Sequence, residues 1–129
     1  MKYYYSTTVD AGFDEAVERV TEELKKEGFG ILTEIDVKET LKKKLDVDFR
    51  PYRILGACNP PFAYEALQAE PNIGAMLPCN VIVQQLEDGK VEVAAVDPIA
   101  SMSAVENPAL ASVAEKVQAK LKKVIDSLG

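Results

Sequence analysis

Two apolar stretches, "NVIVQQL" and "KVEVAAV", lie on either side of a single turn signal, Asp88-Gly89. An Asp-Gly pair between runs of β-branched residues is a strong hairpin signal, because both residues tolerate the positive φ angles of a tight turn. In the second stretch Val91, Val93 and Ala95 alternate with other residues, which indicates a strand with one buried face. This hairpin restricts the chain to folds that contain antiparallel sheet.

The rest of the chain alternates between strand and helix patterns. Aromatic and β-branched residues predict three more strands, over residues 2–9, 29–37 and 52–58. Apolar spacing and capping residues predict four helices, over residues 13–27, 36–45, 60–70 and 107–128, with a loop of about ten residues after Asp97-Pro98. We therefore expect an α+β fold with a mixed, mostly antiparallel five-stranded sheet packed against helices, forming a single compact domain over residues 1–129.

Composition and charge exclude several classes of function. The chain has 129 residues, a net charge of -6 and a sequence pI near 4.7, so its surface should repel nucleic acid and anionic lipid. No apolar run approaches the roughly 18 residues of a membrane span, and the first residues lack a signal-peptide pattern. We expect a cytoplasmic protein whose two cysteines are thiols.

The chain contains no histidine, so the usual metal ligand and the usual general base near neutral pH are both missing. Its two cysteines do not form a C-x-x-C motif, and no glycine-rich segment has the spacing of a phosphate loop. The sequence therefore predicts no cofactor and no metal site, and whether the protein is an enzyme stays open.

Two Cys-Asn pairs are the best candidate site. Cys58 and Asn59 end the strand over 52–58, and Cys79 and Asn80 open the first hairpin strand. Cys58 precedes a helix N-terminus, but that effect is worth only about 0.3 to 1 kcal/mol and cannot make a strongly acidic thiol alone. The cysteines are otherwise explained as small core residues, and Asn59 as a helix cap. If the two Cα atoms lie within about 7 Å, a disulfide or a two-thiolate metal site becomes geometrically allowed.

Four segments together resemble a known family. "EGFGILTEIDVKETLKKKL", "PYRILGACNPPFAYEAL", "MLPCNVIV" and "VAAVDP" occur in this order, and the chain resembles domain of unknown function 302. The resemblance implies a compact α+β domain of bacterial or archaeal type whose copies can pair as dimers. It implies no reaction, substrate or cofactor.

Three hypotheses of function follow. The first is a small binding module whose ligand or partner pocket is lined by Cys58, Asn59, Cys79 and Asn80. The second is a thiol-dependent redox or transfer enzyme with Cys58 as the catalytic nucleophile. The third is a structural or assembly protein that acts through a dimer surface. We expect a homodimer with a small-molecule ligand, and no nucleic-acid or membrane partner.

Overall fold

The computed structural model describes residues 2–129. Its five strands are β1 (Tyr4–Val9), β2 (Gly30–Asp36), β3 (Tyr52–Cys58), β4 (Cys79–Gln85) and β5 (Val91–Val96). They form one sheet in the order β1-β5-β4-β3-β2. Strands β2 to β5 form a meander, and β1 closes the far edge beside β5.

The prediction of a five-stranded sheet packed against helices is confirmed. All four pairings of the described strands are antiparallel, so the mixed character expected from the sequence is not found. From β2 to β5, each strand pairs antiparallel with the next strand along the chain, even where a helical segment connects the two. Each connection returns the chain at the same end of the sheet, whereas a parallel pair needs a crossover to the opposite end. The hairpin turn lies where it was predicted, with Gly89 at φ +86°.

In the described part of the chain, five α-helices accompany the sheet: α1 (Phe13–Lys26), α2 (Val37–Leu45), α3 (Pro60–Ala69), α4 (Pro98–Ser101) and α5 (Pro108–Leu128). Four of them match the predicted helices. The prediction of a loop after Asp97-Pro98 was wrong in part, because this segment contains the short helix α4. Residues after α3 also form an unpredicted 3-10 helix, Pro71–Met76.

Side-chain caps explain where several helices begin. The Asp36 carboxylate accepts a hydrogen bond from the Glu39 backbone N–H at 3.0 Å, as the capping pattern predicts. Asn107 caps α5 in the same way. The Asp97 carboxylate accepts from the Ile99 N–H at 3.0 Å, and this cap begins α4 inside the predicted loop.

The hydrophobic core lies between one face of the sheet and helices α1 and α5. Alternate strand residues such as Val81, Val83 and Val93 are fully buried there. Helix α5 turns one apolar stripe toward this core, and all residues of the stripe are buried: Leu110, Val113, Val117, Leu121, Val124 and Leu128. Burying each such side chain stabilises the fold by about 1.5–3 kcal/mol, so α5 is the main helical layer.

A partly buried polar cluster ties β1 to α5. The Tyr5 hydroxyl donates to the Asp97 carboxylate at 3.1 Å, and the Gln118 side-chain amide donates to the Tyr5 oxygen at 2.7 Å. Burial, followed by the hydrogen bond to Asp97, raises the pKa of Tyr5. Asp97 itself is only 6% exposed, and its hydrogen bonds satisfy both carboxylate oxygens.

Candidate functional site

A cavity of about 310 Å³ opens where β3 ends and β4 begins. Its floor comes from the sheet, and its walls come from α3 and α5. The residues that line it are mostly apolar: Phe29, Leu32, Ala57, Cys58, Asn59, Phe62, Ala63, Ala66, Leu67, Gly74, Leu77, Pro78, Cys79, Met102, Val113, Ala114 and Val117. The cavity contains three of the four residues that the sequence placed in a binding site.

The chemistry of this cavity is almost wholly apolar. None of the described residues that line it is Lys, Arg, Asp or Glu. Its polar groups are two thiols and the Asn59 amide, beside the backbone. Leu32 and Leu67 are 68% and 43% exposed, and these side chains form an apolar rim. An uncharged, apolar molecule makes few hydrogen bonds with water, so its transfer into this cavity costs little desolvation free energy.

The two cysteines lie on neighbouring strands. Ala57 is the register partner of Cys79, so Cys58 is offset from Cys79 by one residue. With ordinary strand spacing and rise, this offset puts the two Cα atoms about 6 Å apart. Both residues are among those that line the cavity, and both are free thiols, with Cys79 buried and Cys58 half-buried. The fold thus brings the two backbones close together, but because Ala57 is the residue opposite Cys79, regular strand alternation points the two cysteine side chains to opposite faces of the sheet.

The environment of Cys79 suppresses thiolate formation. Burial raises the pKa of Cys79 to about 11, and the neighbouring Cys58 adds a smaller upward contribution. Arg53 lies at the other end of β3, where its guanidinium pairs with Glu34 at 3.0 Å. Cys79 is therefore a protonated thiol near neutral pH, and no cation among the described lining residues activates either cysteine.

Asn59 stabilises the corner in a way that the sequence did not predict. It occupies the N-cap position of α3 but makes no side-chain cap hydrogen bond. One of the two usual donors for such a cap is missing, because the second helical residue, Pro61, has no backbone N–H. Its amide instead donates to the Glu27 carbonyl at 3.1 Å, beside Gly28 at φ +87°. Asn59 therefore joins the end of α1 to the end of β3.

Asn80 does not lie in the cavity. It is exposed on the opposite face of the sheet, in a shallow groove with Tyr52 and Ile82. Successive residues of a strand point to opposite faces, so Cys79 and Asn80 cannot both face the core from a regular strand. The expectation that both asparagines would form one pocket wall is corrected: the structure brings together Cys58, Asn59 and Cys79 only.

Several cavity residues were absent from the predicted site. Phe62 and Ala63 come from α3, Val113 and Ala114 come from α5, and Met102 follows α4. The apolar residues of α3 carry part of this signal in the sequence, because not all of them are buried in the core: Leu67 remains exposed. The contribution of Met102 depends on α4, which the sequence analysis did not identify.

Comparisons with known proteins agree with this fold. The family model described as "Domain of unknown function DUF302" matches residues 5–128. A crystal structure of an uncharacterized conserved protein DUF302 from Bacillus stearothermophilus is 32% identical in sequence, with a TM-score of 0.92 and 100% of both chains covered. No curated protein matches the chain. Within the described residues, no helix is long and apolar enough to cross a membrane.

Proposed function

Because the chain belongs to the DUF302 family, for which no specific function is shown, we propose a function from the cavity: the protein is a binding module for a small, uncharged, mainly apolar molecule. The observation that carries this proposal is the 310 Å³ cavity whose described lining holds no ionised side chain. Sites for small ligands are concave and mainly apolar, with a few polar groups that orient the ligand. Cys58, Asn59 and Cys79 are the proposed orienting groups.

The cavity volume limits the size of the ligand. An engineered apolar cavity of about 150 Å³ holds one benzene molecule, so this cavity suits a ligand of about a dozen non-hydrogen atoms. An anionic ligand would be disfavoured, because it would lose its hydration without gaining a cation. A short aliphatic alcohol or amide should therefore bind better than the carboxylate of equal length.

The test uses an uncharged naphthyl fluorophore as the probe. We expect its fluorescence to rise on binding to the protein and to fall when a medium-chain alcohol is added, with the matching carboxylate at least 10-fold weaker as a competitor. Ala63→Leu adds three carbon atoms inside the cavity and should weaken probe binding. The matched control is Ala119→Leu, since Ala119 is exposed on α5 and does not line the cavity.

Two results would contradict this proposal. One is equal probe binding by wild type and the Ala63→Leu variant, which would place the probe elsewhere. The other is stronger competition by the carboxylate, which would require a cation at the site. Circular dichroism and thermal unfolding of each variant establish that it is folded.

The open face of the sheet supports a second candidate function, assembly through a homodimer. Ile54, Ile82 and Val96 are only half-buried on this face, and Tyr52 lies beside them. A second copy packed face to face would cover these side chains. Sedimentation of the wild-type protein and of Ile82→Lys tests this: a dimer that the lysine does not dissociate would contradict the proposed face, and so would a monomeric wild type.

A further inference from the structure

A second hollow of about 220 Å³ lies beside the cavity, between α4 and the first turns of α5. Its apolar wall is formed by Ile99, Met102, Val105, Leu110, Ala111 and Ala114. We propose that the cavity and the second hollow together hold one ligand, an uncharged single-chain lipid whose tail fills the cavity and whose polar head lies in the second hollow. This inference rests on the proposed function, because it extends the same site and names the class of its ligand.

Two residues form the partition between the two spaces. Met102 and Ala114 line both the cavity and the second hollow. Val117 lines only the cavity, and Ala111 lines only the second hollow. These two residues lie three positions on either side of Ala114, so helix geometry places them about 60° from it in opposite directions around α5. The two spaces therefore lie on the two sides of one α5 residue.

The side chains of this partition are small or adaptable. Ala114 contributes a single methyl group, while Met102 has an unbranched side chain that adapts to irregular spaces. Met102 is 9% exposed and Ala114 is 4% exposed, so the partition separates the two spaces inside the protein and not at its outer surface. In the proposed complex the Met102 side chain rotates and the lipid chain passes beside it.

The second hollow increases the size of the ligand. On the scale of one benzene molecule in about 150 Å³, its 220 Å³ holds about eight non-hydrogen atoms in addition to the dozen that suit the cavity. A ligand that fills both spaces therefore has about twenty non-hydrogen atoms. This is the size of a monoacylglycerol or a long-chain alcohol.

The polar residues are confined to the end of the site that lies in the second hollow. Ser103, Asn107 and Glu115 line this hollow, whereas the described lining of the cavity has no ionised side chain. The Asn107 amide already donates to the Ala69 carbonyl at 2.9 Å and to the Glu70 carboxylate at 3.1 Å. Glu115 is exposed, and its carboxylate can accept a hydrogen bond from a ligand.

The carboxylate of Glu115 selects the head group. A hydroxyl or amide head can donate to it, whereas an anionic head is repelled by it. A cationic head would lose hydration and gain little, because an ion pair with an exposed carboxylate is weak in water. The head group that fits is therefore uncharged and donates hydrogen bonds.

The test is methyl NMR of the alanine-labelled protein, titrated with 1-hexanol and separately with monodecanoylglycerol below its micelle concentration. Ala63 reports on the cavity and Ala111 on the second hollow. Ala119 is the reference, since it is exposed on α5 and lines neither space. We expect 1-hexanol to shift Ala63 but not Ala111. Monodecanoylglycerol should shift both with the same midpoint concentration and leave Ala119 unchanged.

A matched pair of leucine variants tests the second hollow by displacement of the naphthyl fluorophore. Ala111→Leu fills part of the hollow and should weaken competition by monodecanoylglycerol at least about 4-fold, the effect of one CH₂ group that is no longer buried. Competition by 1-hexanol should not change. Ala119→Leu makes the same change outside both spaces and should alter neither competitor. Both alanines are exposed, so both variants should fold.

A matched pair of glutamine variants tests the head group. Glu115→Gln should strengthen competition by dodecanoate about 2- to 5-fold, the size of the effect of one exposed charge. Glu18→Gln makes the same change of charge on α1, where Glu18 is exposed and lines neither space. An equal gain in both variants would mean that the net charge of the protein excludes the anion, and the assignment of Glu115 would be wrong.

Two results overturn the inference: an Ala111 methyl that stays unshifted at saturating monodecanoylglycerol, or equal competition by this lipid in the Ala111→Leu and Ala119→Leu variants. If 1-hexanol still shifts Ala63 in either case, the proposed function stands and this inference alone fails. If neither molecule shifts Ala63, the proposed function fails, and this inference fails with it.

Discussion

The buried thiol of Cys79 should make the stability of the protein fall steeply in alkaline solution. Burial raises its pKa from the ordinary value of 9.0 to about 11. Above pH 9 the unfolded chain releases this proton while the folded chain keeps it, so the stabilisation present below pH 9 is lost as the pH rises toward 11. The linkage relation gives a loss of about 2 kcal/mol by about pH 10.5 and about 3 kcal/mol above pH 11.

Urea unfolding of wild type and Cys79→Ala at several pH values between 8 and 10.5 isolates this contribution. The destabilisation caused by Cys79→Ala should shrink by about 2 kcal/mol across that range, because the variant lacks the titrating thiol. Val81→Ala is the matched control, because Val81 is buried on the same face of β4 and does not titrate. The loss of stability that Val81→Ala causes should therefore be the same at every pH. A pH-independent cost of Cys79→Ala would refute the reasoning.

Three further substitutions test the structure around the site by urea unfolding at neutral pH. Gly56→Ala would put a Cβ 2.8 Å from the Pro78 Cγ and should cost about 1–3 kcal/mol; an unchanged midpoint would contradict that packing. Asn59→Ala removes the hydrogen bond to the Glu27 carbonyl and should cost about 1–3 kcal/mol, whereas a neutral result would mean that water replaces the amide. Tyr5→Phe leaves polar partners short of a hydrogen bond and should cost at least about 1 kcal/mol, so a more stable variant would argue against the cluster.

The sequence predicted most of the fold because its signals are local. Alternation and Asp88-Gly89 located the hairpin, and Asp36 and Asn107 located helix starts. Helix α4 was missed although Asp97-Pro98 has the same cap-and-proline pattern as Asn107-Pro108. That helix has only four residues, too few for an apolar repeat to show.

The site was harder to predict because it depends on tertiary contacts. The corner formed by Cys58 and Cys79 follows from strand pairing, which the sequence permitted but did not require. The displacement of Asn80 to the opposite face could have been predicted, since it follows Cys79 directly in a strand. The part of the wall that α5 provides could not have been predicted, because the α5 residues that face the cavity belong to the same apolar face of the helix that fills the core.

The most direct test of the apolar binding site is methyl NMR of the alanine-labelled protein during titration with a medium-chain alcohol. Ala57, Ala63, Ala66 and Ala114 line the cavity, whereas Ala94 lies on the other face of the sheet. We predict saturable shifts of the four cavity methyl groups and none of Ala94. Shifts confined to Ala94, or no saturable shift at any alanine, would contradict the account.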